Sequence, residues 1–149
     1  MKKSYALIAC VIVLSALLSS CEPGGLLGPK YTPTPDPCSP SEVTKYYDMI
    51  KAAAQKFDDA SQLANSTPRM SLPPQISELQ SARREADALV VPYCATKAQT
   101  ALVDYMNEII DGFTAFLGQE SDSVVQGHFT TAETRLSLYQ LELDKMISK

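Results

Sequence analysis

Thiols and a single imidazole are the side chains here best suited to chemistry, and there are few of them: Cys10, Cys21, Cys38, Cys94 and His128. A thiol can be acylated, oxidised to a disulfide or bound to a metal, and an imidazole can carry a proton or ligate. Structural zinc takes four nitrogen or sulfur ligands, so a two-cysteine metal site would lack partners. A di-iron bundle site needs Glu-x-x-His pairs on facing helices, but Val125 stands three residues before His128 and there is no second histidine. Covalent haem attachment needs C-x-x-C-H, which is absent. A hydrolase triad needs a histidine base beside a nucleophile; His128, next to Gly127 on the edge of an apolar stripe, reads instead as a partly exposed edge histidine. "EPGGLLGPK" lacks the closing Lys-Ser/Thr of a phosphate-binding loop. The expectation is no catalytic residue, no metal ligand set and no cofactor.

Cys21 stands apart because of what surrounds it. Lys2 and Lys3 precede an apolar or small run from Tyr5 to Leu18, then come Leu18, Ser19, Ser20 and Cys21. A charged start followed by a short apolar stretch has the form of a secretory signal, and the stretch falls short of the roughly 20 residues that span a bilayer. The segment resembles the lipobox of bacterial lipoproteins: an aliphatic residue, two small ones, then cysteine. That resemblance implies a diacylglyceryl group on the Cys21 sulfur, removal of residues 1–20 as signal peptide, and Cys21 as the acylated mature N-terminus, labelled by palmitate. It places the chain at the cell membrane or outer membrane, facing the extracytoplasmic side. Each buried CH₂ contributes about 0.8 kcal/mol, so one acyl chain holds marginally and two or three hold firmly. Residues 21–37 are rich in proline, glycine and threonine without helical or strand period and read as a tether, partly extended through "TPTPDP".

About 112 residues follow the tether, enough for one domain, 38–149. The chain carries 13 Lys and Arg against 17 Asp and Glu, a net charge of −4; without Lys2 and Lys3 the balance is 11 against 17, or −6. Such a surface repels phosphates, which excludes nucleic acid as an expected partner. With Cys10 leaving in the signal and Cys21 taken by lipid, Cys38 and Cys94 remain as an even pair on the oxidising side of a membrane. They are expected to form a disulfide, two free thiols being the alternative.

Four amphipathic segments must position these groups, and they predict an all-α fold, a small antiparallel four-helix bundle. The first helix, 40–65, opens with Ser39 and Glu42 as a capping box and Pro40 at its first position. It carries Val43, Tyr47, Ile50, Ala54, Phe57 and Ala64 on one face, with Asp58 and Asp59 on the solvated side. "NSTPRMSLPP" breaks the chain. A second helix, 74–91, buries Ile76, Leu79, Ala82, Ala86, Leu89, Val90 and Tyr93, with Arg83 at the stripe's edge able to pair with Asp87 and Arg84 pointing away. At 100° per residue, the stripes before and after Pro92 are displaced by about 150°, and proline disfavours helix at the residue before it, so the chain is expected to fold back there. The third helix, 93–117, uses Ala98, Leu102, Tyr105, Ile109, Phe113 and Phe116, broadened by Met106, Ile110 and Leu117. It should be the most buried, with Gly118 left-handed past its end. The fourth, 121–147, has Val125, Phe129, Ala132, Leu136, Tyr139, Leu143 and Met146 as a bundle stripe rather than a coiled-coil seam; Val124, Leu138 and Leu141 lie off it.

Two function classes fit. One is a non-catalytic, lipid-anchored envelope protein whose helices contact an unknown envelope protein or wall component. The other is a binder of a small apolar ligand between the helices, lined by Tyr105, Phe113, Phe116 and Phe129, although core packing explains those aromatics equally well.

Overall fold

The computed structural model describes residues 34–148. The expected signal peptide, the lipid acceptor Cys21 and most of the tether lie outside the described residues. Among the described residues the fold is all-helical: α1 (Pro40–Asn65), α2 (Pro73–Asp87), α3 (Thr96–Leu117) and α4 (Asp122–Ile147), with a 3₁₀ turn at Arg69–Ser71 between α1 and α2. They make a small four-helix bundle. α3 and α4 share the most extensive interface, α2 packs on α1 and α3, and α1 reaches both α3 and α4.

α1 starts where the sequence places it. Ser39 is extended (φ −64°, ψ 151°) and Pro40, which has no N–H to leave unpaired, begins the helix. The expected capping box is not closed. Ser39 Oγ lies 3.5 Å from Ser41 Oγ, and Glu42 Oε1 accepts from Lys45 Nζ at 2.7 Å; a lysine one turn on offers the carboxylate a charged partner. Val43, Ile50, Ala54, Phe57 and Ala64 are buried, with Ile50 and Phe57 fully so. Each large side chain buried this way contributes about 1.5–3 kcal/mol.

The proline-rich break is more than a break. Ser66 and Thr67 hydroxyls both donate to the Leu63 carbonyl, at 3.0 and 2.7 Å, and finish α1. Leu72, just past the 3₁₀ turn, is fully buried and its carbonyl accepts from Ile76 N–H at 3.1 Å as α2 begins.

α2 stops at Asp87 rather than near 91, and α3 begins at Thr96 rather than 93. Gln99 holds this corner: the two N–H groups of its Nε2 are shared among the carbonyls of Ala86, Asp87 and Leu89 at 2.9, 3.1 and 2.9 Å, giving the end of α2 partners that a continued helix would have supplied. The chain leaves the helical phase there. Leu89 stays packed on the core, whereas Val90 (87% exposed) and Tyr93 (78% exposed) point outward, against the expectation that they belong to the stripe. The fold-back is present, spread over the stretch between Asp87 and Thr96.

α3 buries more residues than any other of the four helices, from Ala98 and Leu102 through Tyr105, Met106 and Ile110 to Phe113 and Ala115. Phe116 departs from expectation: it lies at the surface beneath the Arg69 guanidinium, 4.5 Å from the ring centroid. At the C-terminus Gly118 stays right-handed (φ −70°) and Gln119 takes the left-handed position (φ 59°). Glu120 N–H donates to Ala115 O at 3.0 Å and Gln119 N–H to Phe116 O at 3.3 Å, the paired bonds of a Schellman ending shifted one residue beyond the glycine. α4 buries Ala132, Tyr139, Leu143 and Met146, with Phe129 and Leu136 packed on the core. Pairings across α3 and α4, Phe113 with Phe129 and Asp104 with Arg135, step in opposite directions along the two helices.

Candidate functional site

The first place where chemistry-bearing residues meet is the disulfide. Asp36 Oδ1 accepts from Cys38 N–H at 2.9 Å and Asp36 O from Ser39 N–H at 3.0 Å, an Asp-centred turn that seats Cys38 at the start of α1. Cys94 sits in the turn after Pro92, where Ala95 N–H donates to Pro92 O at 2.9 Å. Cys38 and Cys94 are bonded, with Cα atoms 6.0 Å apart, within the range such a bond requires. Beside them opens a cleft of about 660 Å³ bordered by Tyr93, Lys97, Lys145 and Ile147. Its rim carries both charges, Glu142 accepting from Lys145 Nζ at 2.6 Å, and that hydrogen bond holds the Glu142 carboxyl below its ordinary range.

The four aromatics considered as ligand lining are spread over three settings. Tyr105 is buried and meets Phe57 edge to face, centroids 5.9 Å apart at 69°. Phe113 meets Phe129 in the same manner, 5.5 Å and 77°. Phe116 lies under Arg69 at the surface. Pairs of this geometry contribute about 0.5–1.5 kcal/mol beyond the area they bury. Neither the cleft beside the disulfide nor a shallow groove between α1 and α2 bordered by Lys56, Leu63 and Glu78 is lined by any of the four.

Asp58, expected on the solvated side with Asp59, is half-buried and accepts the Tyr105 hydroxyl at 3.0 Å. Asp59 is exposed and takes Gln55 Nε2 at 2.8 Å. Burial raises the Asp58 carboxyl above its ordinary value; the Tyr105 hydrogen bond works against the rise and Asp59 adds to it. Burial, followed by the Asp58 charge and hydrogen bond, pushes the Tyr105 phenol well up, and burial with the Asp58 charge pushes Tyr139 up to about 12. Both phenols stay protonated at neutral pH, and the Tyr105–Asp58 hydrogen bond is a polar tie between α1 and α3.

The second meeting place lies between α3 and α4. Glu108 and Asp111 stand three residues apart on α3, hence on one face, and His128 faces them from α4. His128 Nδ1 donates to Glu108 Oε2 at 3.1 Å, with the two side chains 33% and 25% exposed. One ligand atom from each of Glu108, Asp111 and His128 falls within 4.8 Å of the others. What sets this spacing is next door in sequence on each helix. Gly112 has no side chain, and a Cβ there would lie 3.0 Å from Cε1 and Cζ of Phe129, so the glycine lets the aromatic ring seat against the α3 backbone.

No family model, curated protein or solved structure matches this chain.

Of the residues singled out from sequence, the structure joins Cys38 to Cys94 and sets Arg83 Nη1 3.6 Å from Asp87. It leaves Arg84 exposed and Val124, Leu138 and Leu141 at the surface of α4. Sequence reading does not single out Glu108 and Asp111, which the structure places beside His128. A Glu-x-x-His pattern lies on one helix, whereas here a carboxylate pair on α3 meets a histidine from α4. The available signal was Glu-x-x-Asp-Gly on α3 with His-Phe on α4, Gly112 marking the close approach of Phe129.

Proposed function

We propose that this chain is an exported lipoprotein, anchored through a lipid on Cys21, whose helical domain serves as a non-catalytic interaction or structural module at the cell envelope. The observation that carries the reading is the Cys38–Cys94 bond. Disulfides persist in oxidising compartments outside the cytoplasm, which agrees with the export-type N-terminus and with a thiol at Cys21 committed to acylation. No helix among the described residues is long and apolar enough to cross a membrane, so in this reading the anchor is the lipid. The interior of the bundle is filled by apolar side chains from all four helices, which suits packing. The off-stripe residues Val124, Leu138 and Leu141 on α4, 40–51% exposed, add apolar area available to a partner.

Metabolic labelling with palmitate in the host tests the anchor. The expected result is a labelled, membrane-retained protein, and a Cys21→Ala variant that has lost the label and keeps residues 1–20. An unchanged size and membrane retention in that variant would defeat the proposal.

A further inference from the structure

We propose that Glu108, Asp111 and His128 form a binding site for one divalent first-row transition ion, with zinc as the reference case, clipped between α3 and α4. The donor set is an imidazole nitrogen with two carboxylate oxygens, a mixture suited to zinc and its neighbours rather than to the all-oxygen cages of calcium. Two ligands each about 2.1 Å from one tetrahedral ion stand about 3.4 Å apart, close to the 3.1 Å between Nδ1 of His128 and Oε2 of Glu108. Asp111, exposed and within 4.8 Å of both, closes in by up to about 1.4 Å to complete the set. In the bound state the ion takes the place of the Nδ1 proton, the neutral ring carries its proton on Nε2, and water completes the shell, as in open three-ligand sites.

Five acidic residues of the bundle have basic partners: Glu42 with Lys45, Glu85 with Lys56, Asp87 with Arg83, Asp104 with Arg135 and Glu142 with Lys145. Glu108 and Asp111 share the lack of a lysine or arginine partner with other surface carboxylates, and differ from them in that both converge on the chain's one histidine. The spacing is also held in advance. Phe129, next to His128, is seated over Gly112, next to Asp111, and is braced edge to face by Phe113. Binding therefore needs little reordering of the two helices, which favours affinity. The bonded state of Cys38 and Cys94 removes those thiols from competition.

Isothermal titration of the full chain in detergent, purified without a polyhistidine tag and stripped with chelator, against zinc chloride alone tests the proposal. The expected result is one ion per chain with Kd below about 0.1 mM. His128→Gln and Asp111→Asn should each weaken binding at least tenfold, ligand losses costing no less than the 10–100-fold seen for outer partners. Asp111 is exposed, so its variant reads the site without disturbing the core. As a measurement on the unaltered chain, zinc should raise the melting temperature, and excess chelator should return it. Binding weaker than about 0.1 mM would overturn the site. So would zinc binding that persists unchanged in both variants, which places the ion elsewhere, or binding lost with His128→Gln and unchanged with Asp111→Asn, which removes Asp111 from the ligand set and with it the three-residue site. None of these outcomes depends on whether Cys21 carries lipid.

Discussion

At the scale of single residues, two glycines on facing helices show how local space sets the sign of one substitution. Gly112 lies under the Phe129 ring with 3.0 Å for any added Cβ, while around Gly127 nothing stands within 4 Å. Replacing a helical glycine by alanine gains about 0.5–1 kcal/mol, and overpacking a filled site costs about 1–3 kcal/mol. Gly127→Ala is therefore expected to stabilise by about 0.5–1 kcal/mol. Gly112→Ala should destabilise by about 1 kcal/mol, because Phe113 braces the ring that would have to move. Denaturant midpoints of the two variants check this, and equal shifts in one direction would refute it. Residue types alone did not make the difference legible: both positions read as glycine within an amphipathic pattern, and only the partner helix distinguishes them. The same holds for Asp58. It looks solvated by its place on α1, yet it is drawn inward by the Tyr105 hydroxyl from α3.

At the scale of helices, period and punctuation carried most of the reading. α1 begins and ends where Pro40 and the Ser-Thr-Pro break place it, and α4 runs within one residue of its expected start. Stripes were legible because apolar spacing reports directly on which face is buried. The corner between α2 and α3 was not, because its boundary is fixed by a side chain from the following helix: Gln99 gathers three carbonyls at the end of α2. The Gln99 side chain is part-buried there, so Gln99→Ala leaves those acceptors to find water or remain unpaired, and each unsatisfied group costs about 1–3 kcal/mol. A loss of about 2 kcal/mol is expected, with faster amide exchange confined to residues around 84–95. A loss spread evenly over all four helices would show that the corner is held by packing instead. The ending of α3 teaches a related lesson. Gly118 marks the end of the helix, but the left-handed turn falls on Gln119, since the hydrogen bonds to Ala115 and Phe116 fix the place of the turn.

At the scale of the whole molecule, the disulfide closes a loop of 56 residues in sequence separation that contains α1 and α2. Chain entropy gives such a closure roughly 4 kcal/mol, an upper figure, against total stabilities of about 5–15 kcal/mol. Reduction, or a Cys38→Ser, Cys94→Ser double variant, is expected to lower the melting temperature clearly while helical circular dichroism at low temperature is retained; an unchanged melting temperature would mean that the bond adds nothing the core does not already supply. The pairing itself was legible from the even cysteine count. The closeness of Cys38 to Cys94 depended on two helix lengths and a corner, of which only the lengths could be counted. The bond also sets a route for mechanical load. A pull delivered through the residues ahead of Cys38 reaches the fold just before α1 and passes across the sulfur bridge to Cys94, bypassing the backbone of α1 and α2. Oxidised, those two helices form a slack side loop that tension cannot peel open. Reduced, they become part of the line and can pay out up to about 3.3–3.6 Å per residue, turning a short, stiff coupling into a long, extensible one.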